Sequence, residues 1–279
     1  MAAITAQMVQ ELREATNVGM MECKRALTEA GGDKDKAIRL LRERGVAIAA
    51  KKATREANQG LIAAATRDGK TGALIEINCE TDFVAKNAAF QEFVKDLAAK
   101  ALDMEDNTIG EITKASMAAK VAEIGENLVA KRNVRYGLQG PGLIATYIHL
   151  NGKLGVLLEI GCTKESSAGS PVLQDLAKDL TLHVAACSPR WLVRTEVPAD
   201  VVQAEREIYA KQVVGKPAQI VDKIVEGKLG KFYSQVCLVE QGFVKDPDIS
   251  VTKLLEAKGK ELGDTLTLRR FVRLQVGAE

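Results

Sequence analysis

The chain has 279 residues, more than one hydrophobic core usually serves, so two or more compact units are expected. Hydrophobic residues make up 46% and charged residues 27%, the balance of a globular protein, and with aromatics at only 4% the cores must be built from Ala, Val, Ile and Leu. Lys plus Arg total 39 against 37 Asp plus Glu, a net charge of +2 that argues against a nucleic-acid binder, whose phosphate contacts need a concentrated basic face. The short basic clusters (Lys51-Lys52, Lys131-Arg132 with Arg135, Arg269-Arg270 with Arg273) read instead as solvated strand or helix ends.

The N-terminus carries no basic n-region, apolar h-region or cleavage signature, and no run nears the roughly 18 apolar residues that span a bilayer. The five cysteines are odd in number, scattered and never paired as C-x-x-C, so neither a disulfide framework nor a zinc site is expected. Free thiols fit a reducing, cytoplasmic setting. His149 and His183 are the sole histidines. The expectation is therefore a protein without catalytic residues, cofactor or metal, and without membrane contact.

Residues 4–45 read as three short helices. Thr5 caps the first, with Met8, Leu12 and Ala15 on one face, and Asn17-Val18-Gly19 breaks it. Met20, Cys23, Leu27 and Ala30 mark the buried stripe of the second, which ends at Gly31-Gly32. Asp33 caps the third, with Ala37, Ile38 and Leu41 inward and Gly45 as its stop. Residues 1–46 thus form a small helical head, suited to docking, and 47–59 a helical or extended linker.

The body carries an internal repeat. GLIAAATRDGKTGALIEINC (60–79) aligns with GLIATYIHLNGKLGVLLEIGC (142–162), with one inserted residue. Gln91, Lys95, Asp96 and Leu97 then match Gln174, Lys178, Asp179 and Leu180, and Gly125, Leu128, Arg132, Val134 and Arg135 match Gly263, Leu266, Arg270, Val272 and Arg273. Each copy reads as strand, Gly-containing turn, strand, helix and final strand, with D-G-K and N-G-K at the hairpins. Phe90, Phe93 and Leu97 form one helix stripe; Leu173, Leu176 and Leu180 form the other. The fold class is α+β: a helical head and a duplicated core of two three-stranded antiparallel sheets with helices. Residues 60–140 are the first core subdomain, and 141–188 with 236–279 the second. The excess of the second copy, 189–235, reads as an antiparallel helical hairpin turning at Gly215-Lys216-Pro217. Ile220, Ile224 and Gly227 give it a narrow seam, and it serves as a structural arm or as a partner or homodimer contact.

Shared positions in a duplicated fold report the fold, and divergent ones can report function. After its second strand, copy one reads Glu80-Thr81-Asp82-Phe83-Val84-Ala85-Lys86-Asn87. Copy two has Glu165 and Ser166 where Asp82 and Phe83 stand. Two readings of Phe83 stay open: a core aromatic, or an outward wedge at a junction where Thr81 or Asp82 caps the next helix. Glu76 and Glu159, matched carboxylates in strands, lack any phosphate loop, nucleophile elbow or metal cluster beside them and read as exposed positions.

The string TDFVAKN and the head's LREATNVGMMECKRALTEAGGD resemble the bacterial translation elongation factor Ts family. So do GKPAQIVDKIVEGKLGKFY and QGFVKD, and the resemblance runs from Ile4 to Gly277. It implies guanine-nucleotide exchange on elongation factor Tu. Phe83 would insert between helices of the GTPase domain near its magnesium, supported by Asp82 and flanked by Thr81 and Val84. The resemblance also implies docking by Arg13, Met20 and Met21, with charge from Lys24 and Lys52, and contacts from Ile124-Gly125 and His149. Met20 fits burial on its helix equally well. Longer members carry a further C-terminal helical module, and the end at Val276-Gly277-Ala278-Glu279 leaves more of the binding to head and core. A rival reading rests on the head alone. Its three helices resemble ubiquitin-associated domains, with Asn17-Val18-Gly19-Met20-Met21 as the binding loop of a protein adaptor.

Overall fold

A computed structural model describes residues 4–16, 18–213 and 218–278. Asn17 and most of the hairpin turn containing Gly215-Lys216-Pro217 lie outside the described residues. Three helices open the chain: α1 (Ala6–Thr16), α2 (Met20–Glu29) and α3 (Lys34–Lys52). Thr5 Oγ1 accepts the Met8 amide at 3.2 Å and Asp33 accepts the Lys36 amide at 3.0 Å, so both expected caps form. Val9, Leu12, Cys23, Ala26, Leu27, Ala37 and Leu41 make a small core. Met20 is not part of it. Its side chain is 51% exposed, and the buried stripe of α2 is Cys23, Ala26 and Leu27.

The first copy follows as β1 (Gln59–Arg67), β2 (Thr71–Cys79), α4 (Asp82–Ala85), α5 (Ala88–Ala101), α6 (Ile109–Ile112), α7 (Lys114–Ile124) and β3 (Leu128–Gly137). The second begins β4 (Gly142–His149), β5 (Leu154–Gly161), α8 (Glu165–Ala168) and α9 (Pro171–Cys187). It continues through the excursion α10 (Ala199–Gln212) and α11 (Ala218–Val236), and a short ribbon β6 (Gly242–Phe243) and β7 (Asp246–Ser250). It closes with α12 (Val251–Leu262) and β8 (Thr267–Gln275). The sheets are antiparallel, ordered β1-β2-β3 and β4-β5-β8. Among the described residues no helix is long and apolar enough to cross a membrane.

Gly45 does not stop the third helix. It is buried where α3 crosses α7, and a Cβ there would sit 3.6 Å from Ala118 and Ala122, so the small residue serves helix–helix approach. Beyond it Ile48 and Ala49 join the first sheet's core, so α3 is one rigid element between head and sheet. The hairpin seam is also displaced from the expected one. Val225, Leu229 and Phe232 face inward, while Ile220 is exposed and Gly227 faces open space.

Strand alternation divides each central strand between two cores. Ala73, Ile75 and Ile77 of β2 face α5, and Val156, Leu158 and Ile160 of β5 face α9. The opposite faces meet: Ile62, Leu74 and Tyr136 pack on Ile144, Leu157 and Leu274. The approach is close enough that a Cβ on Gly72 would lie 2.6 Å from Ile144, and one on its repeat partner Gly155 would lie 2.5 Å from Ile62.

Between the sheets sit the two carboxylates expected on the surface. Glu76 and Glu159 are wholly buried. Each stands at a bulge, opposite Arg132 and Arg270 respectively, where the final strand gains an unpaired residue, Lys131 in one sheet and Arg269 in the other. Arg132 Nε donates to Glu76 Oε2 and Arg270 Nε to Glu159 Oε2, both at 2.8 Å. The second oxygen of each accepts an amide from just beyond the last strand of the other sheet, Gly277 at 3.2 Å for Glu76 and Gln139 at 2.7 Å for Glu159. The basic pairs Lys131-Arg132 and Arg269-Arg270 are therefore partners of this clasp rather than solvated ends. Burial alone would raise the Glu159 carboxyl, but the Gln139 amide and the Arg269 and Arg270 guanidiniums hold it below the usual range.

Removing one member of such a buried pair strands its partners. Glu159→Gln is expected to lower stability in urea by about 3 kcal/mol at neutral pH. Because the folded carboxyl is depressed, that contribution is complete above about pH 5.5, a unit over the ordinary Glu value, and fades as pH falls through that value and below it. The gap between wild type and variant should accordingly narrow in acid.

Candidate partner-binding surface

The turn after β2 is built by hydrogen bonds that converge on Thr81. Its hydroxyl oxygen accepts the Val84 amide at 3.3 Å, capping α4. The same hydroxyl donates to Glu126 Oε1 at 2.6 Å, and the Thr81 amide donates to Glu126 Oε2 at 3.0 Å. The buried Cys79 thiol donates to the Thr81 carbonyl at 3.1 Å. Asn87 then caps α5 through the Ala89 amide at 2.8 Å. A four-residue helix has little stability of its own, and these side chains hold it.

Copy two repeats the frame: α8 occupies the place of α4, Ser170 caps α9, and Asp264 accepts the Thr163 and Lys164 amides as Glu126 accepts that of Thr81. The fold turns the second residue of this short helix outward in both copies. Ser166 is exposed there, and Phe83 is 81% exposed. Between the two readings of Phe83, the structure shows the outward one. Beside it Asp82 is bound by Lys86 at 2.6 Å, a hydrogen bond and charge that hold the carboxyl below its ordinary range. Val84 leans onto the first core.

Gly125 joins this surface. It ends α7 in the left-handed conformation, φ +84°, and the following Glu126 reaches Thr81. Lys52, at the end of α3, donates its ammonium to the Gly125 carbonyl. Ile124 is half-buried against the first core. Thr81, Asp82, Phe83, Gly125 and Lys52 therefore belong to one bonded corner.

The remaining predicted residues lie elsewhere. Arg13 is exposed on α1, and Met20, Met21 and Lys24 on α2, where Met21 and Lys24 line a shallow depression with Arg44. His149 is exposed at the end of β4, its Nδ1 paired with the Tyr147 hydroxyl at 2.8 Å. The turn that follows it does reach the corner. A groove of about 600 Å³ runs between Asp82 and Lys86 on one side and Leu150, Asn151 and Lys153 on the other. Leu150, 65% exposed, had no periodicity to mark it; it falls at the one extra residue of the second hairpin. Glu126 was also missed, although it follows Gly125 as Asp264 follows Gly263.

The fold and this surface define a duplicated α+β protein that presents a rigid exposed aromatic beside a carboxylate. The profile of the family described as "Elongation factor TS" matches residues 80–278. Proteins named elongation factor Ts from Trichlorobacter lovleyi and Clostridium novyi are each 43% identical, over 99% and 98% of this chain and 93% of their own length. One from Clostridium perfringens is 42% identical over 98% of the chain and 93% of its own. The chain belongs to the elongation factor Ts family, a family of translation elongation factors in protein biosynthesis.

An exposed aromatic contributes little to folding. Phe83→Ala should leave urea stability within about 0.5 kcal/mol of wild type. Phe90→Ala, in the core beneath, should cost about 3–5 kcal/mol. Equal losses would return Phe83 to the core.

Proposed function

We propose that the chain is a guanine-nucleotide exchange factor that binds elongation factor Tu–GDP and releases the nucleotide so that GTP can enter. The single observation that carries the reading is Phe83, held outward on a capped, clamped turn that its repeat counterpart fills with serine. Family membership supplies the partner.

On this reading Phe83 enters an apolar gap in the GTPase domain, Asp82 hydrogen-bonds beside it, and Gly125 and Ile124 extend the contact. Mg²⁺ requires near-ideal octahedral geometry and holds the nucleotide phosphates, so a small displacement of its surroundings weakens GDP. The factor binds the displaced state better than the GDP-bound state. By reciprocity GDP and factor then weaken each other equally, and a coupling of about 3 kcal/mol corresponds to about 150-fold in affinity. The chain makes and breaks no covalent bond, so it is not an enzyme in the chemical sense.

The head, which is read as ubiquitin-associated-like, docks through Arg13, Met20, Met21 and Lys24. Met20 and Met21 suit this because both are exposed and methionine adapts to an irregular surface. His149 forms a separate contact to another part of the partner, next to Leu150, which lines the groove across from Asp82. The hairpin, with Ile208 and Ile220 exposed, is a further contact, to the partner or to a second copy.

Release of a fluorescent GDP analogue from elongation factor Tu, followed by stopped flow, tests the reading. Wild type should accelerate release, and Phe83→Ala should lose about tenfold or more of that acceleration. Equal acceleration by both proteins would remove the wedge role, and none by wild type would remove the exchange function.

A further inference from the structure

The two copies solve one local problem with different lysines. In copy two Lys164 occupies the position of Thr81, and its ammonium caps the carbonyl of Gly263 at the end of α12. Copy one has threonine there and no local amine. Its equivalent carbonyl, that of Gly125, is capped by Lys52 from the last turn of α3, 73 positions away in the chain. The head's helix thus supplies a group that the core copy lacks.

Further bonds surround this one. The Asn127 side-chain amide donates to the Arg55 carbonyl at 2.7 Å, and the Asn127 backbone amide to Glu80 Oε1 at 2.6 Å. Arg55 pairs with Glu80 at 3.5 Å. Glu126, next to Gly125, then takes both the amide and the hydroxyl of Thr81, two residues before Phe83. A continuous path of hydrogen bonds and short chain segments runs from the end of α3 to the Phe83 turn.

We propose that Lys52 and Glu126 are positioning residues, which lock the head and the Phe83 turn into one register so that both meet the partner together. The inference rests on the exchange reading above. A loose turn would have to be ordered on binding, at a cost in affinity and in placement of the aromatic, and a pre-set turn avoids it. On this account Lys52 acts inside the factor rather than on the partner. The carboxylate clamp is common to both copies; what copy one adds is its tie to the head.

Two measurements on the full chain test it. The first is amide hydrogen exchange of residues 80–86 in the factor alone. Lys52→Met and Glu126→Gln should each speed exchange there by about tenfold, with Lys52→Arg near wild type. No change in either variant overturns the proposal, whatever the chain does to GDP. The second is a double-mutant cycle on stopped-flow GDP release from elongation factor Tu. Glu126→Gln should slow maximal release about tenfold when Phe83 is present and less than about twofold in Phe83→Ala. Equal losses in the two backgrounds mean that Glu126 does not act through Phe83, and overturn the proposal. If Glu126→Gln fails to fold, the half-exposed Lys52→Met carries the same cycle with the same expected pattern. No acceleration by wild type would instead reject the exchange reading, and with it the positioning role, while the first measurement still reports on the tie.

Discussion

Two buried glutamates hold the sheets of this protein in register. Each sits at a bulge in its own sheet and accepts an amide from the chain leaving the other, so neither sheet can shift without uncoupling both carboxylates. The arginines that neutralise them also reach across: Arg132 donates to the carbonyl of Ala278 at 3.1 Å and Arg270 to that of Gly137 at 2.7 Å. A buried charge is costly unless paired and hydrogen-bonded on every side, which makes the arrangement specific as well as stable. Gly72 and Gly155 allow the faces to approach closely enough for those bonds to form.

That constraint carries through to the surface. The turn after β2 follows directly from the strand that holds Glu76, and the turn after β4 borders the same groove because the sheets are fixed face to face. The helical head is not a loosely tethered module, since α3 enters the first core with Ile48 and Ala49 and ends on Gly125. Duplication supplied a rigid frame twice. The short helices differ at three of their four positions, Asp82, Phe83 and Val84 against Glu165, Ser166 and Ser167, and the second of these gives copy one an exposed aromatic where copy two has serine.

Much of this was legible in the sequence because duplication makes two observations of each position. The collinear matches located the strands, the hairpin turns and the excess in the second copy, and the Ser166 contrast pointed at Phe83. The clasp was not legible, because an isolated glutamate in a strand is usually exposed; its burial depends on Arg132, 56 positions away, and on the Gly277 amide from the other copy, and neither pairing shows in the spacing. Gly45 was misread as a helix stop for a similar reason. Glycine at a helix end and glycine at a helix crossing look alike until the crossing helix is known. The hairpin seam lay one residue from the expected row because several apolar residues on α11 give competing stripes, and the one that is buried ends at Phe232, in the cluster with Trp191, Val201 and Tyr209. The helices α7 and α12 before each final strand escaped notice, although the glycines that end them were part of the matched blocks.

The central claim is that copy one, and not copy two, presents its short helix to the GTPase. Site-specific photocrosslinking tests this most directly, with a benzoylphenylalanine placed at Phe83 in one variant and at Ser166 in another, each irradiated with elongation factor Tu–GDP. The account predicts an adduct from position 83 within the GTP-binding domain and none from position 166. An adduct from 166 alone, or none from 83 while the complex still forms, would contradict it.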